Sequence, residues 1–288
     1  DKNLIEKALA LIAKSSKPII YSGGGVINSG PAATELLREF VRMTNIPITS
    51  TLQGLGAFPG DDNQFVGMLG MHGTYEANNA MHDCDLLINI GARFDDRITG
   101  RLDAFSPYSK KIHIDIDPSS INKNVQVDIG IVGDVAHVLE EMASLWKKNV
   151  YKINKSGIKE WWKQIDVWRQ KDSLRFKNSN KIIKPQHAIK TLYEYTKDKD
   201  AYITTEVGQH QMWAAQHYKF SKPNRWMTSG GLGTMGYGLP AAIGVQVAHP
   251  DKLVIDIAGE ASVLMTMQEM STAVQYRLPI KIFIVNNQ

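Results

Sequence analysis

Two short segments near the carboxyl end carry the residues best suited to chemistry: Gly259-Glu260-Ala261-Ser262 and Asn286-Asn287. They close two apolar runs that read as strands, Leu253–Ile257 and Ile280–Val285, with a helix expected between them over Leu264–Tyr276. In a right-handed strand-helix-strand unit both strand ends emerge on one edge of the sheet, so the Glu260 carboxyl and the Asn287 amide oxygen can meet there. Hard oxygen donors of that kind suit Mg²⁺, which commonly bridges to phosphates. Ser262 opens the next helix, where a hydroxyl and unpaired N–H groups favour a phosphate; the plainer alternative makes it only a helix cap and Glu260 only an exposed acid.

Two further loops can converge on that edge. Glu206-Val207-Gly208-Gln209-His210 follows the strand expected over Ala201–Thr205, and Gly230-Gly231-Leu232-Gly233-Thr234-Met235-Gly236 precedes a helix expected over Gly238–Ala248. A glycine-dense loop opening a helix fits diphosphate binding. Met235 is an apolar group within it, and a Met in such a place is commonly packing.

The first half holds a second set of strand ends. Ser22-Gly23-Gly24-Gly25 follows the run Pro18–Tyr21, Thr51-Leu52-Gln53-Gly54 follows Pro47–Ser50, and Gly91-Ala92-Arg93-Phe94-Asp95-Asp96-Arg97 follows Leu86–Ile90. Asp115-Ile116-Asp117 ends Lys111–Ile116, and Gly133-Asp134-Val135 follows Ile129–Val132. Glycine for close approach, Arg93 for a phosphate and carboxylates for ribose or amide donors are what a dinucleotide needs. Taken singly, Asp117 and Asp134 read as helix caps and Arg93 as a surface ion pair; taken together, the five strand ends favour a ligand. Gly70-Met71-His72-Gly73 lies between strands and reads as structural, and no C-x-x-C or H-E-x-x-H spacing points to zinc.

These residues must be positioned by strands alternating with helices. Ala32–Met43, Val135–Trp146 and Gln186–Tyr195 have helical spacing of apolar residues. The alternation predicts an α/β chain of two doubly wound parallel-sheet domains, with helices on both faces. We expect a first domain over 1–146, a linker over 147–184 whose Trp161, Trp162 and Trp168 pack on a neighbour, and a second domain over 185–288. The 288 residues accommodate about two domains at roughly 150 residues each. At 43% hydrophobic and 22% charged, with a net charge of +4, the chain is too apolar for disorder and too mixed in sign for a dedicated nucleic-acid binder. Its one cysteine, Cys84, excludes an intrachain disulfide and fits a reducing, cytoplasmic setting. No membrane span or signal peptide is expected, and the ends read as those of a piece of a longer protein.

The segments SGGG, STLQGLG, GMLGMHGT, GARFDDR, HIDIDP, VGQHQMW and SGGLGTMGYGLPAA, with the GEAS and NN pair, resemble the acetolactate synthase (acetohydroxyacid synthase) family of thiamine-diphosphate enzymes over residues 4–288. GARFDDRITG and VGQHQMWAAQ are closer to that family than to its sister decarboxylases and oxidases. The resemblance implies a central FAD-binding domain, with FAD at Gly24, Leu52, Gln53, His72, Gly73, Arg93, Asp95, Asp115, Ile116, Asp134 and Val135. It implies a carboxyl-terminal domain with thiamine diphosphate at Gln209, His210, Gly233, Met235, Ala261 and Ser262. Met235 would be the wedge that bends the cofactor, and Mg²⁺ would be held by Glu260 and Asn287. Arg97 and Met71 would face the channel to the reacting carbon, with Gln209, His210, Met235 and Arg97 as the catalytic set.

The implied reaction is decarboxylation of pyruvate and carboligation to a second 2-ketoacid such as 2-ketobutyrate, the first common step of branched-chain amino acid biosynthesis. The implied assembly is a homodimer or homotetramer with a small regulatory subunit, without nucleic acid or membrane. Glyoxylate carboligase, another flavin-containing carboligase and a non-catalytic cofactor-binding homologue are the alternatives. Glu260 stands where the family has Asp, which makes the metal site a point of departure. The family's amino-terminal domain, with its activating glutamate, and its segment beyond Gln288 are not in the sequence, so the chain alone is not expected to catalyse.

Overall fold

A computed structural model describes residues 1–148 and 150–287; Asn149, in the expected linker, and Gln288, at the end of the second expected domain, lie outside the described residues. The chain forms two compact units, Asp1–Leu174 and Arg175–Gln288.

The first unit runs α1 (Lys2–Lys14), β1 (Pro18–Ser22), α2 (Gly24–Asn28), α3 (Pro31–Thr44), β2 (Ile48–Ser50), β3 (Phe65–Met68), α4 (Tyr75–Asp83), β4 (Leu86–Ile90), α5 (Asp96–Thr99), β5 (Lys110–Asp115), β6 (Ile129–Val132), α6 (Val135–Lys147) and α7 (Lys155–Arg169). Its six strands are all parallel, in the order β3-β2-β1-β4-β5-β6. The two central strands, β1 and β4, are buried along their whole length, which is why they read as unbroken apolar runs. Alternate residues feed two cores. Ile20, Ile88 and Ile112 meet Leu9, Leu37, Phe40 and Leu139 of α1, α3 and α6 on one face. Ile19, Tyr21 and Leu87 meet Ala77, Ala80 and Met81 of α4 and Trp161 and Ile165 of α7 on the other.

The aromatics of α7 are tied to this unit: Trp161 is buried and donates from Nε1 to the Pro18 carbonyl at 3.0 Å, and Trp162 donates to the Asn45 carbonyl at 2.8 Å. Residues 155–169, within the span read as a linker, therefore cover one face of the first sheet. Strand β3 is an element that the sequence pattern did not reveal, and the Gly70–Gly73 segment is the turn that follows it.

The second unit runs α8 (Pro185–Thr196), β7 (Tyr202–Thr205), α9 (Gln209–His217), β8 (Trp226–Thr228), α10 (Gly238–Ala248), β9 (Val254–Gly259), α11 (Glu260–Leu264), α12 (Met270–Gln275) and β10 (Lys281–Val285). Four parallel strands are ordered β10-β9-β7-β8. The single helix expected over Leu264–Tyr276 is instead two, α11 and α12, joined by a 3₁₀ turn at Met267–Glu269. Thr266 sits at the break, and its hydroxyl donates to the Gly236 carbonyl at 3.2 Å, tying the break to the glycine loop.

Candidate cofactor site

In the first unit every residue predicted to meet FAD falls at the carboxyl ends of the parallel strands, the edge on which such sheets hold ligands. The order 3-2-1-4-5-6 puts the topological switch between β1 and β4, and the loops there are knitted together: Gly23 N–H donates to the Ile90 carbonyl at 2.9 Å and Gly25 N–H to the Gly91 carbonyl at 3.0 Å. A Cβ on Gly23 would overlap the Gly91 carbonyl and Ala92, and one on Gly25 would overlap Gly91. Both glycines are thus required by loop-on-loop packing. At Gly24 an added Cβ would meet Gln53 at 3.2 Å, so Gly24 and Gln53 share one side of the cradle. Leu52 is half-buried and Gln53 exposed beside it.

Arg93 reaches from the end of β4 to Asp95, Nη2 to Oδ2 at 2.8 Å, with both side chains exposed. The turn after β3 delivers exposed Met71 and His72 and half-buried Gly73; Met71 N–H donates to the Arg97 carbonyl at 2.9 Å, joining those two predicted channel residues through the backbone. Asp115 is buried and accepts the Asp117 N–H at 2.9 Å, while the next residue, Ile116, is 68% exposed. Burial raises the Asp115 pKa, but the His113 ring and the Asp117 N–H outweigh it and hold the carboxyl below its ordinary value.

Asp134 has work of its own. Oδ1 accepts the Ala136 and His137 N–H groups at 3.0 and 3.3 Å, capping α6 before buried Val135, and Oδ2 accepts the Ser29 hydroxyl at 2.8 Å. The Ser29 hydrogen bond leads the causes that hold Asp134 below the usual carboxylate range. Asp117 likewise caps a short turn through the Ser119 N–H at 2.9 Å. The carboxylates at these strand ends are in large part local caps, and the groups facing outward are Gln53, His72, Arg93, Asp95 and Ile116.

In the second unit the parallel register pairs Val285 with Gly259, so Glu260 and Asn287 leave adjacent strand ends on one edge. Glu260 is half-buried and Asn287 exposed. Among the described residues no group of three or more His, Cys, Asp and Glu could hold a metal. Glu260 and Asn287 offer one carboxyl and one amide oxygen, a pair that would suit a hard cation taking its other ligands from phosphate and water. Ser262 turns back on its own helix: its hydroxyl donates to the Gly259 carbonyl at 3.1 Å and accepts the Gly259 N–H at 3.0 Å, with Ala261 exposed between.

Gln209 and His210 open α9 beyond β7 on the same edge, Gln209 exposed and His210 buried. Burial pulls the His210 pKa down, against the Glu206 carbonyl and the Glu260 charge, and its Nε2 has no partner. Such an orphaned, buried ring nitrogen beside Gly259 leaves one polar group unmatched at the edge where a ligand is expected. Gly233, at φ 68°, and Met235, 41% exposed, lie in the loop leading into α10.

Two acids beneath this edge had no place in the predicted site. Glu206 and Asp256 are fully buried. Asp256 lies in register with Thr204, whose hydroxyl donates to Oδ1 at 3.0 Å, while its Oδ2 has no partner. Burial, and then the Glu206 charge, push Asp256 up to about 7. The sequence signal was available in an acid set inside the strand run Leu-Val-Ile-Asp-Ile.

An edge that joins an acid and an amide at neighbouring strand ends, near a glycine loop bearing Leu232 and Met235, has the donors that a diphosphate and its metal would need. "Thiamine pyrophosphate enzyme, central domain" describes residues 5–142 and "Thiamine pyrophosphate enzyme, C-terminal TPP binding domain" describes residues 206–288; the chain belongs to the thiamine pyrophosphate (thiamine diphosphate) enzymes. Within them it is similar to acetolactate synthase large subunits. It is 48% identical over 286 residues to the acetolactate synthase large subunit of Haemophilus influenzae, covering 99% of this chain and 49% of the relative. To acetolactate synthase isozyme 3 large subunit of Escherichia coli it is 48% identical, over 100% of this chain and 50% of the relative. To the chloroplastic acetolactate synthase of Arabidopsis thaliana it is 47% identical, over 99% of this chain and 42% of the relative. The chain spans about half the length of the curated relatives it matches, and among its described residues no helix is long and apolar enough to cross a membrane.

Proposed function

We propose that the protein to which this chain belongs is an acetolactate synthase, a transferase that decarboxylates pyruvate and joins the two-carbon unit to a second 2-ketoacid, pyruvate or 2-ketobutyrate. The observation that carries the reading is the register of β9 on β10, which sets Glu260 beside Asn287 at the edge reached by Gln209, His210 and Met235. Thiamine diphosphate, when bound, supplies the electron sink for the lost carboxylate. The chain's own part is to bind and orient. Glu260 and Asn287 hold Mg²⁺, Gly233, Ala261 and Ser262 receive the diphosphate, and Met235 fills the apolar side of the cradle. Gln209 and His210 line the same edge, where burial draws the His210 pKa below its ordinary value. In the first unit Gly24, Leu52, Gln53, His72, Gly73, Arg93, Asp95, Asp115, Ile116, Asp134 and Val135 hold FAD. Asp134 and Val135 contribute there by fixing the start of α6. Arg97 and Met71 belong to the substrate channel.

The relatives' designation as large subunits supports a small regulatory partner, and a homodimer or homotetramer completes the proposed assembly. A cytoplasmic site fits the lone buried thiol of Cys84. The test is to give the full-length protein pyruvate, thiamine diphosphate, FAD and Mg²⁺ and to assay acetolactate. Acetolactate formation that falls at least about tenfold in Glu260→Gln and is restored by raised Mg²⁺ is expected. CO₂ release without acetolactate would overturn the assignment in favour of a decarboxylase.

A further inference from the structure

Glu206 is fully buried at the carboxyl end of β7, and both its carboxyl oxygens are spent on one loop. Oε2 accepts the Gly236 N–H at 2.6 Å and Oε1 the Leu239 N–H at 3.0 Å. These two amides bracket the turn from Gly236, at φ 91°, into α10. Upstream, the Thr234 N–H donates to Ser229 Oγ at 2.9 Å, so Met235 stands between two pinned residues. On the far side the Gly236 carbonyl accepts the Thr266 hydroxyl. Nor can the loop slide inward. A Cβ at Gly238 would overlap Asp256 Oδ1 and would come within 2.6 Å of the Glu206 backbone nitrogen. A buried acid is costly unless donors meet it; here the donors are main-chain amides, which meet it in one loop geometry only.

We propose that Glu206 is a positioning residue that sets Met235 in the cofactor cradle by clamping the Gly236 and Leu239 amides. This rests on the thiamine-diphosphate reading above. The acid acts through the loop and touches no reactant. By joining the segment that carries Gln209 and His210 to the segment that carries Gly233 and Met235, it makes the two halves of the cradle one rigid piece.

The test uses the full-length protein and has two arms. In the first, amide exchange is measured without cofactor: Glu206→Gln, which turns a donor toward one of the two amides, is expected to speed exchange at Gly236 and Leu239 about tenfold or more. In the second, thiamine diphosphate affinity is measured at saturating Mg²⁺ by tryptophan fluorescence, and Glu206→Gln is expected to weaken it about tenfold. Because Glu206 acts through Met235, Met235→Ala added to Glu206→Gln should weaken binding little further. Unchanged exchange, unchanged affinity, or strictly additive losses overturn the proposal. If the unsubstituted protein binds no thiamine diphosphate, it is the cofactor reading that fails, and the exchange arm still decides whether the clamp exists. Should Glu206→Gln not fold, Thr266→Val removes the opposite anchor of the same loop and is expected to weaken binding about threefold; no loss there overturns the proposal as well.

Discussion

Asp256→Asn isolates the energetic consequence of an acid buried beneath the cradle. In the fold Asp256 is raised from its ordinary 3.8 to about 7, by burial first and the Glu206 charge second, with the Thr204 hydroxyl opposing. Between those values the folded chain keeps a proton that the unfolded chain has released, so stability falls as pH rises and the loss is complete above about 7. Three pH units at about 1.4 kcal/mol each set a ceiling of about 4 kcal/mol. Of this, about 2 kcal/mol falls between pH 5.5 and 8. Asn cannot ionise and still offers Thr204 an oxygen. Its amide nitrogen has no partner where Oδ2 already has none, so the absolute effect is mixed, but that term does not vary with pH. The assay is thermal unfolding followed by tryptophan emission, Trp213 and Trp226 lying in this unit. On passing from pH 5.5 to 8, the variant should gain on the unsubstituted chain by on the order of 8 °C, the shift for a cooperative unit of about 100 residues. A difference independent of pH would refute the reasoning.

Two further substitutions separate packing from ligand binding in the first unit. Gly23→Ala forces a methyl group into the Gly91 carbonyl and Ala92 and should lower stability by about 1–3 kcal/mol without FAD present; an unchanged melting temperature would remove the packing account of the glycine run. Asp134→Ala deletes the cap of α6 and the Ser29 contact and should lower stability by about 1 kcal/mol at neutral pH. In the unsubstituted chain that cap is present above the ordinary carboxylate pKa and is lost in acid, as pH falls through the depressed folded value; equal acid sensitivity in both proteins would sink the assignment.

The centre of the first sheet was legible because β1 and β4 are buried along their whole length and so must be continuous apolar runs, and Leu86–Ile90 matches its expected bounds; the edge strand Ile129–Val132 also matches, as a short apolar run closed by Gly133. β3 and β8 were not: Phe65–Met68 contains a glycine, and the three-residue Trp226–Thr228 is preceded by polar Asn224-Arg225 and so has no apolar run to mark it. α9 escaped for another reason: Gln211 and His217 are buried polar residues, so its inner face is not apolar, and Gln211 is satisfied by Thr228 and the Ser229 carbonyl. The site shows the same division. Motif spacing placed the exposed groups at the strand ends, whereas the role of Gly23 and Gly25 depends on Gly91, some 65 residues away, and could not be read locally.

Among the buried polar residues of the second unit, Thr204, Glu206, His210, Asp256 and Ser262 lie on or next to the strands β7 and β9. A small sheet that needed only stability would place aliphatic residues there, since every buried acid carries a desolvation cost and Asp256 and His210 each retain an unpartnered atom. What these residues share is their targets: Glu206 holds the loop amides, Ser262 the turn after β9, and Thr204 the acid between them. Loops of glycine have too little side chain to pack themselves into one shape, so their shape must be imposed from below by hydrogen bonds to a fixed sheet. The cost of polar burial at this edge is therefore the physical counterpart of a rigid, glycine-built cradle above it.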